Sequence, residues 1–152
     1  MTPTNARGAA RLIATLCLLL ASLSPGCQKR GEPRDASETA RVEAGRRLMG
    51  RWVLISYQPE LPLEPMFQGL LQAQFGSMIV EFDGQQMVGN GTGVSVVRRY
   101  RLTQAWADRI TIITYDDKGV SYDADGEFRG NDLYFISHTI PWRGRGVLRR
   151  TR

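Results

Sequence analysis

From Gly50 onward, apolar and polar residues alternate with a period of two, in short runs separated by Gly, Asp, Asn and Pro. That pattern marks strands with one face buried and the other wet. The first run, 51–57 (RWVLISY), predicts a strand with Trp52, Leu54 and Ser56 on one face and Val53, Ile55 and Tyr57 on the other. Pro59, Pro62 and Pro65 then interrupt it, and residues 66–75 (MFQGLLQAQF) predict a helical turn or two with Leu70 and Leu71 inward. Further strands are expected over 77–82, 86–89, 94–102, 109–115, 120–129, 132–138 and 146–150. Asp83-Gly84 is a strong hairpin signal, because such turns need positive φ. The glycine-rich stretch 89–93 reads as a turn or bulge, and it lacks the Lys and helix of a phosphate loop.

Eight strands in sequence, with no helix between most of them, exclude a parallel βαβ plan. Short links favour neighbours in sequence becoming neighbours in space. The expected fold class is all-β: an eight-stranded up-and-down antiparallel barrel, which closes at this strand number and leaves no exposed edge. Ahead of it, Asp35 and Glu38 have the form of a capping box. Ala40, Val42, Ala44 and Leu48 follow at helical spacing, with Glu43 and Arg47 at i,i+4. A short N-terminal helix is expected over 37–48.

The first 26 residues follow a different rule. Arg7 and Arg11 precede an apolar run over 12–23, and small residues Ser24 and Gly26 lead to Cys27. That is the layout of an export signal, too short for a membrane span of roughly 20 residues. The arrangement resembles the lipobox of bacterial lipoproteins. The resemblance implies cleavage after Gly26, lipidation of Cys27 and anchoring of the mature N-terminus in a membrane; Gln28, rather than Asp, implies the outer membrane of the bacterial cell envelope. An ordinary secretory signal cut near Ala21 or Gly26, leaving Cys27 a free thiol, is the alternative. Residues 27–36 read as the lipidated N-terminus and a flexible tether, and 37–152 as one domain, large enough for a single core.

Composition changes the picture little. The net charge of +5 falls to +3 once Arg7 and Arg11 are removed, and 18 of the 20 basic residues are Arg. A nucleic-acid surface would need aromatics interleaved on one basic face and a compartment that holds nucleic acid; an exported protein has little reason for one, so no nucleic-acid partner is expected. The mature chain has no cysteine besides Cys27, so no internal disulfide forms.

Catalytic chemistry finds little support. His138 is the single histidine and the domain has no cysteine, which excludes Cys/His pairs and leaves zinc short of ligands. No Gly-x-Ser-x-Gly elbow occurs. Among Asp116, Asp117, Asp123, Asp125 and Glu127, the pair at 123 and 125 has the opening spacing of a calcium loop, but no Glu closes it; a solvated face or hairpin end is the expected role. No metal, cofactor or enzymatic activity is expected.

Gly50-Arg51-Trp52 opening the first strand resembles the Gly-x-Trp signature of lipocalins. Glu81-Phe82-Asp83-Gly84, Gly126-Glu127-Phe128 and Asn131-Asp132-Leu133 are similar to phrases of small bacterial lipocalin-like domains. The resemblance covers about 50–150. It implies a basic residue on the last strand over the Trp, at Arg149 or Arg150, and a barrel interior that binds a small apolar or amphipathic ligand. The inward residues expected to line such a site are Trp52, Phe82, Tyr100, Ile112 and Phe135. The second expectation is a solid barrel acting as a protein-interaction module, an inhibitor or envelope assembly factor, through the loops at 59–66 and 104–108.

Overall fold

The computed structural model describes residues 33–140 and 142–151; the expected signal segment, Cys27 and the first part of the tether lie outside them. Helix α1 (Pro33–Leu48) leads into strand β1 (Gly50–Pro59). Helix α2 (Pro65–Gln72) and strands β2 (Ile79–Phe82), β3 (Gln86–Gly91), β4 (Val94–Trp106), β5 (Arg109–Tyr115), β6 (Ser121–Arg129), β7 (Asp132–Ser137) and β8 (Gly144–Arg150) follow. Each strand pairs antiparallel with the next, and β8 returns to β1. The molecule is an eight-stranded, closed, up-and-down antiparallel barrel.

Local chemistry explains the turns. Asp83 accepts hydrogen bonds from the backbone N–H groups of Gln85, at 2.8 Å, and Gln86, at 2.6 Å. Gly84 supplies φ of 102°, a conformation that is strained for other residues. The hairpin from β2 to β3 is therefore encoded in two adjacent residues.

Two β-bulges redirect the alternation, and both correct the sequence expectation. In β1 the register shifts between Leu54 and Ser56, leaving Ile55 as the extra residue. Tyr57 consequently shares the inner face with Trp52 and Leu54, while Ser56 faces out. In β4 the shift falls between Leu102 and Gln104. Ala105 then points inward and is buried, and Trp106 is 48% exposed. The residues expected as a loop at 104–108 are mostly strand. A bulge increases local twist, which lets one 13-residue strand serve β3 with its first half and β5 with its second.

Helix α1 begins at Pro33, four residues before the expected start, so Asp35 lies within the helix instead of capping it. Proline suits the first helical turn because its missing N–H would be unpaired there. The other end of α1 closes the barrel. Leu48 is fully buried and Ala44 is 4% exposed. The Trp52 Nε1–H donates to the Leu48 carbonyl at 2.8 Å. Arg150, on the last strand, donates to the carbonyls of Met49, at 3.1 Å, and Arg47, and its guanidinium carbon lies 4.6 Å from the Trp52 ring centre. Cations favour helix C-termini for this reason. Arg47 covers Phe128 at 4.4 Å and reaches Asp108 at 2.7 Å.

Helix α2 sits at the opposite rim and corrects a second expectation. It buries no residue, and Leu70 is 49% exposed. The buried group is Gln74, just beyond the helix, whose amide N–H donates to Leu70 O and Thr92 O at 3.0 Å each. That bond pins the rim segment to the tip between β3 and β4.

On the outer wall, Arg149 forms a two-point bond to Asp132, at 2.8 and 3.0 Å. The guanidinium beside it holds the Asp132 carboxyl below its ordinary value of 3.8. A depressed native pKa stabilises the fold above the unfolded-state value, and the contribution disappears as pH falls through the native value. Melting curves followed by circular dichroism should therefore place Asp132→Asn below the parent chain at pH 7, with the gap closing as the carboxyl protonates toward pH 2. An unchanged gap at pH 2 would assign the loss to something other than the ion pair.

Candidate functional site: a groove on the outer wall

Alternation divides each strand between interior and outer wall, and the registers align residues of neighbouring strands into rows. One inner row runs Ile110, Gly126, Phe135, Gly146, Tyr57 across β5, β6, β7, β8 and β1. The outward row on one side is Trp106, Arg109, Glu127, Tyr134, Val147, Ser56. The outward row on the other side includes Asp125, Ile136, Arg145 and Gln58. Between the two outward rows lies a groove of about 680 Å³. Its floor is the backbone of the inner row and its walls are the outward side chains. Four strand spacings give a length of about 19 Å along the backbone, and the two outward rows stand about 7 Å apart, Cα row to Cα row.

The inner row makes the floor thin. Its large residues alternate with glycine, so rings fold sideways over the gaps. The Phe135 ring covers Gly146 and stacks on Tyr57, with centres 6.0 Å apart.

The walls are apolar and charged together. Trp106, Tyr134 and Ile136 are 48%, 38% and 52% exposed. Arg129 lies over the Tyr134 ring at 4.5 Å and holds Glu127 through bonds of 2.8 and 3.2 Å. That guanidinium lowers the Glu127 pKa. Asp125 is slightly buried, which pushes its pKa up. Hydrogen bonds from the Thr111 hydroxyl at 2.8 Å and the His138 ring at 3.0 Å outweigh that and lower it. Both groove carboxylates are thus already engaged. Arg109 and Arg145 form neither an ion pair nor a side-chain hydrogen bond among the described residues.

The five residues expected to line a site all face inward, at separate places. Trp52 packs on Phe128 at the α1 end, with ring centres 6.3 Å apart. Phe82 meets Tyr100 edge-on at 5.3 Å, and the Tyr100 hydroxyl accepts the Gly84 N–H at 3.1 Å. Ile112 belongs to the core cluster. Trp52, Phe82 and Ile112 are buried, at 1%, 5% and 9% exposure, whereas Tyr100 and Phe135 are half-buried. Of the five, Phe135 also borders the groove. Farther up the interior, Arg98 faces inward with its guanidinium 3.8 Å from the Tyr122 ring centre.

The acidic cluster is a solvated face and a hairpin end. Asp123, Asp125 and Glu127 alternate along the outer face of β6, and Asp116 accepts the Lys118 and Val120 N–H groups of its own turn. Among the described residues no group of three His, Cys, Asp or Glu side chains is placed to hold a metal ion. Cys27 lies outside the described residues.

Sequence reading passed over Arg109, Ile136, Arg145 and Val147. One signal was available. In β7, Leu133 and Phe135 face the interior while Tyr134 and Ile136 face out, so both faces of one strand are apolar. An outer wall in water should be polar there.

Comparison of the chain with protein-family models, with curated proteins and with solved structures returns no match in any of the three.

Proposed function

We infer that this chain is a non-catalytic, lipid-anchored protein of the bacterial outer membrane whose barrel serves as a protein-interaction module. The anchor rests on the leader and Cys27. The module rests on one observation: a groove of about 680 Å³ lies on the outer wall and carries exposed Trp106, Tyr134 and Ile136. Soluble surfaces seldom gather large apolar side chains into one concave patch without a partner, and aromatic and Arg residues are the types enriched at binding hot spots. The interior supports the same reading. Trp52, Leu54, Val80, Phe82, Ile110, Ile112, Phe128, Leu133 and Leu148 form a continuous buried cluster, and side chains lie over the inward glycines 89, 126 and 146.

A second reading has an observation of its own. Arg98 inside the barrel, with half-buried Tyr57 and Phe135, suits a small amphipathic ligand held toward the α2 rim. Native mass spectrometry of the full chain, purified from bacterial membranes in detergent, separates the two. The module reading expects the lipidated protein mass alone; a further small molecule retained until denaturation would overturn it. A photo-crosslinking residue at position 134 should then give a discrete protein adduct in cells, and the same residue at the exposed wall position Val97 should not. Equal labelling at both positions would remove the groove from the account.

A further inference from the structure

We propose that the α2 rim of the barrel rests on a lipid bilayer, with apolar side chains of α2 and of the loop between β7 and β8 set in the acyl layer just below the headgroups. The proposal goes beyond the module reading and shares its anchor. It leaves the groove on the side wall in water, open to a partner.

Three observations select this occupant. The first is the direction in which α2 faces. At 3.6 residues per turn, Met66, Phe67, Leu70 and Leu71 fall on one side of the helix and Gln68, Gly69 and Gln72 on the other. A helix on a water-exposed surface turns such an apolar stripe to the core. Here Leu71 alone is half-buried and the other three are exposed. The segment is held from beyond its C-terminal end, by Gln74 on the Leu70 and Thr92 carbonyls and by Phe75 against the core. The stripe is left over.

The second is the joining of two segments into one apolar tip. Leu61 precedes α2, and Ile140 and Trp142 belong to the loop after β7. The Glu60 N–H donates to the Arg143 carbonyl at 2.9 Å, and the Arg143 guanidinium lies 3.6 Å from the Glu60 carboxylate. The Tyr57 hydroxyl donates to the Trp142 carbonyl. Leu61, Met66, Phe67, Leu70, Ile140 and Trp142 are each 47–66% exposed at this one end of the barrel.

The third is charge. Residues 65–80 carry no charged side chain, whereas sixteen positions at the chain's 23% would carry about four. A charge in the acyl layer is expensive, so a surface that enters a bilayer excludes it. Charges resume on either side of the run, at Glu60, Glu64 and Glu81. Trp142 suits the headgroup boundary, where an apolar ring meets lipid and its N–H meets water. The bilayer is also the surface at hand. An anchor at Cys27 would keep the start of α1 within about 20 Å of it, and tethering of this kind makes weak insertion effective.

Fluorescence of the full chain reads this directly. The purified lipidated protein, with an environment-sensitive fluorescent residue at position 67, 68 or 97, is reconstituted into vesicles of phosphatidylethanolamine and phosphatidylglycerol, with no other protein present. The label at 67 should lose most of its quenching by iodide and become quenched by phospholipids spin-labelled near the top of the acyl chain. The label at 68, across the helix, should show less of both, and the label at 97 on the wall should stay open to iodide. Phe67→Glu/Leu70→Glu changes two exposed positions and should melt with the parent, yet return a label at position 140 to iodide. Equal iodide quenching at 67 and 97 in a chain that floats with the vesicles would overturn the rim docking and leave the anchor standing. Shielding at 67 that appears only after envelope proteins are added, without quenching by the spin-labelled lipid, would overturn it too and name a protein as the occupant. A chain that does not float would remove the anchor and the docking together. The module is decided separately, by the crosslink at position 134.

Discussion

Gly146→Ala is expected to destabilise the barrel by about 3 kcal/mol or more, the upper end of overpacking effects, and Gly146→Val to prevent folding. A Cβ at this position would lie 2.4 Å from Phe135 Cζ and 2.8 Å from the Ser56 carbonyl oxygen. The ring can turn, but the carbonyl belongs to the paired strand β1 and cannot move without opening the seam that closes the barrel. Phe135→Leu in the Gly146→Ala background should therefore rescue only part of the loss. Gly126→Ala is the internal comparison. Its nearest neighbours, at 2.9 to 3.0 Å, are side-chain atoms of Ile110 and Leu133, and a loss of about 1–2 kcal/mol is expected. Urea denaturation followed by circular dichroism ranks the three variants. Gly146→Ala as stable as Gly126→Ala would show that the seam yields, and the thin-floor account of the groove would go with it.

How much of this was legible before the structure depends on whether the information is local. Strand β5, RITIITY, alternates from Arg109 to Ile112 between clear turns, and its bounds coincide with the sequence expectation. Asp83-Gly84 is equally local, since the side chain and the positive φ that make the turn are adjacent. The inner face of Trp52, Phe82, Tyr100, Ile112 and Phe135 followed from period two alone. The bulges did not. Ile55 is an ordinary strand residue, and its displacement is fixed by pairing with β8, more than 90 residues away. Without it Tyr57 is assigned to the wrong face, and the inner row loses the ring that stacks on Phe135. Leu70 failed for a related reason. Its helix meets the barrel through Gln74, a polar residue whose burial requires the Thr92 carbonyl on another hairpin.

The groove is the least local feature of all. Its walls come from six strands, and Gln58 and Arg145 become neighbours only when the barrel closes. A single strand could hint at it, because β7 is apolar on both faces. It could not say that Arg109 would face Glu127 across β5 and β6, or that Arg145 would align with Ile136 and Asp125. Which charges meet is a property of register between strands that are distant in sequence.

Trp52→Ala should be the most damaging single truncation, costing about 3–5 kcal/mol, a large share of the 5–15 kcal/mol typical of a domain. The side chain is 1% exposed and holds three separate parts together: the Leu48 carbonyl of α1 through its N–H, Phe128 of β6 through its ring, and Arg150 of β8 through its face. Truncation opens a cavity, orphans the carbonyl and leaves a guanidinium over empty space. Trp52→Phe separates these effects. It keeps an aromatic face for Arg150 and Phe128 but loses the hydrogen bond, and a loss of about 1–2 kcal/mol is expected. The two variants should also differ in how α1 behaves. Hydrogen exchange of the amides at the end of α1 should speed up strongly in Trp52→Ala and modestly in Trp52→Phe, because that helix is docked through this ring. Exchange that stays slow in Trp52→Ala would mean Leu48 and Ala44 suffice to hold the helix. The closed end would then be an ordinary apolar plug, with Arg150 contributing charge at the rim and nothing to the closure.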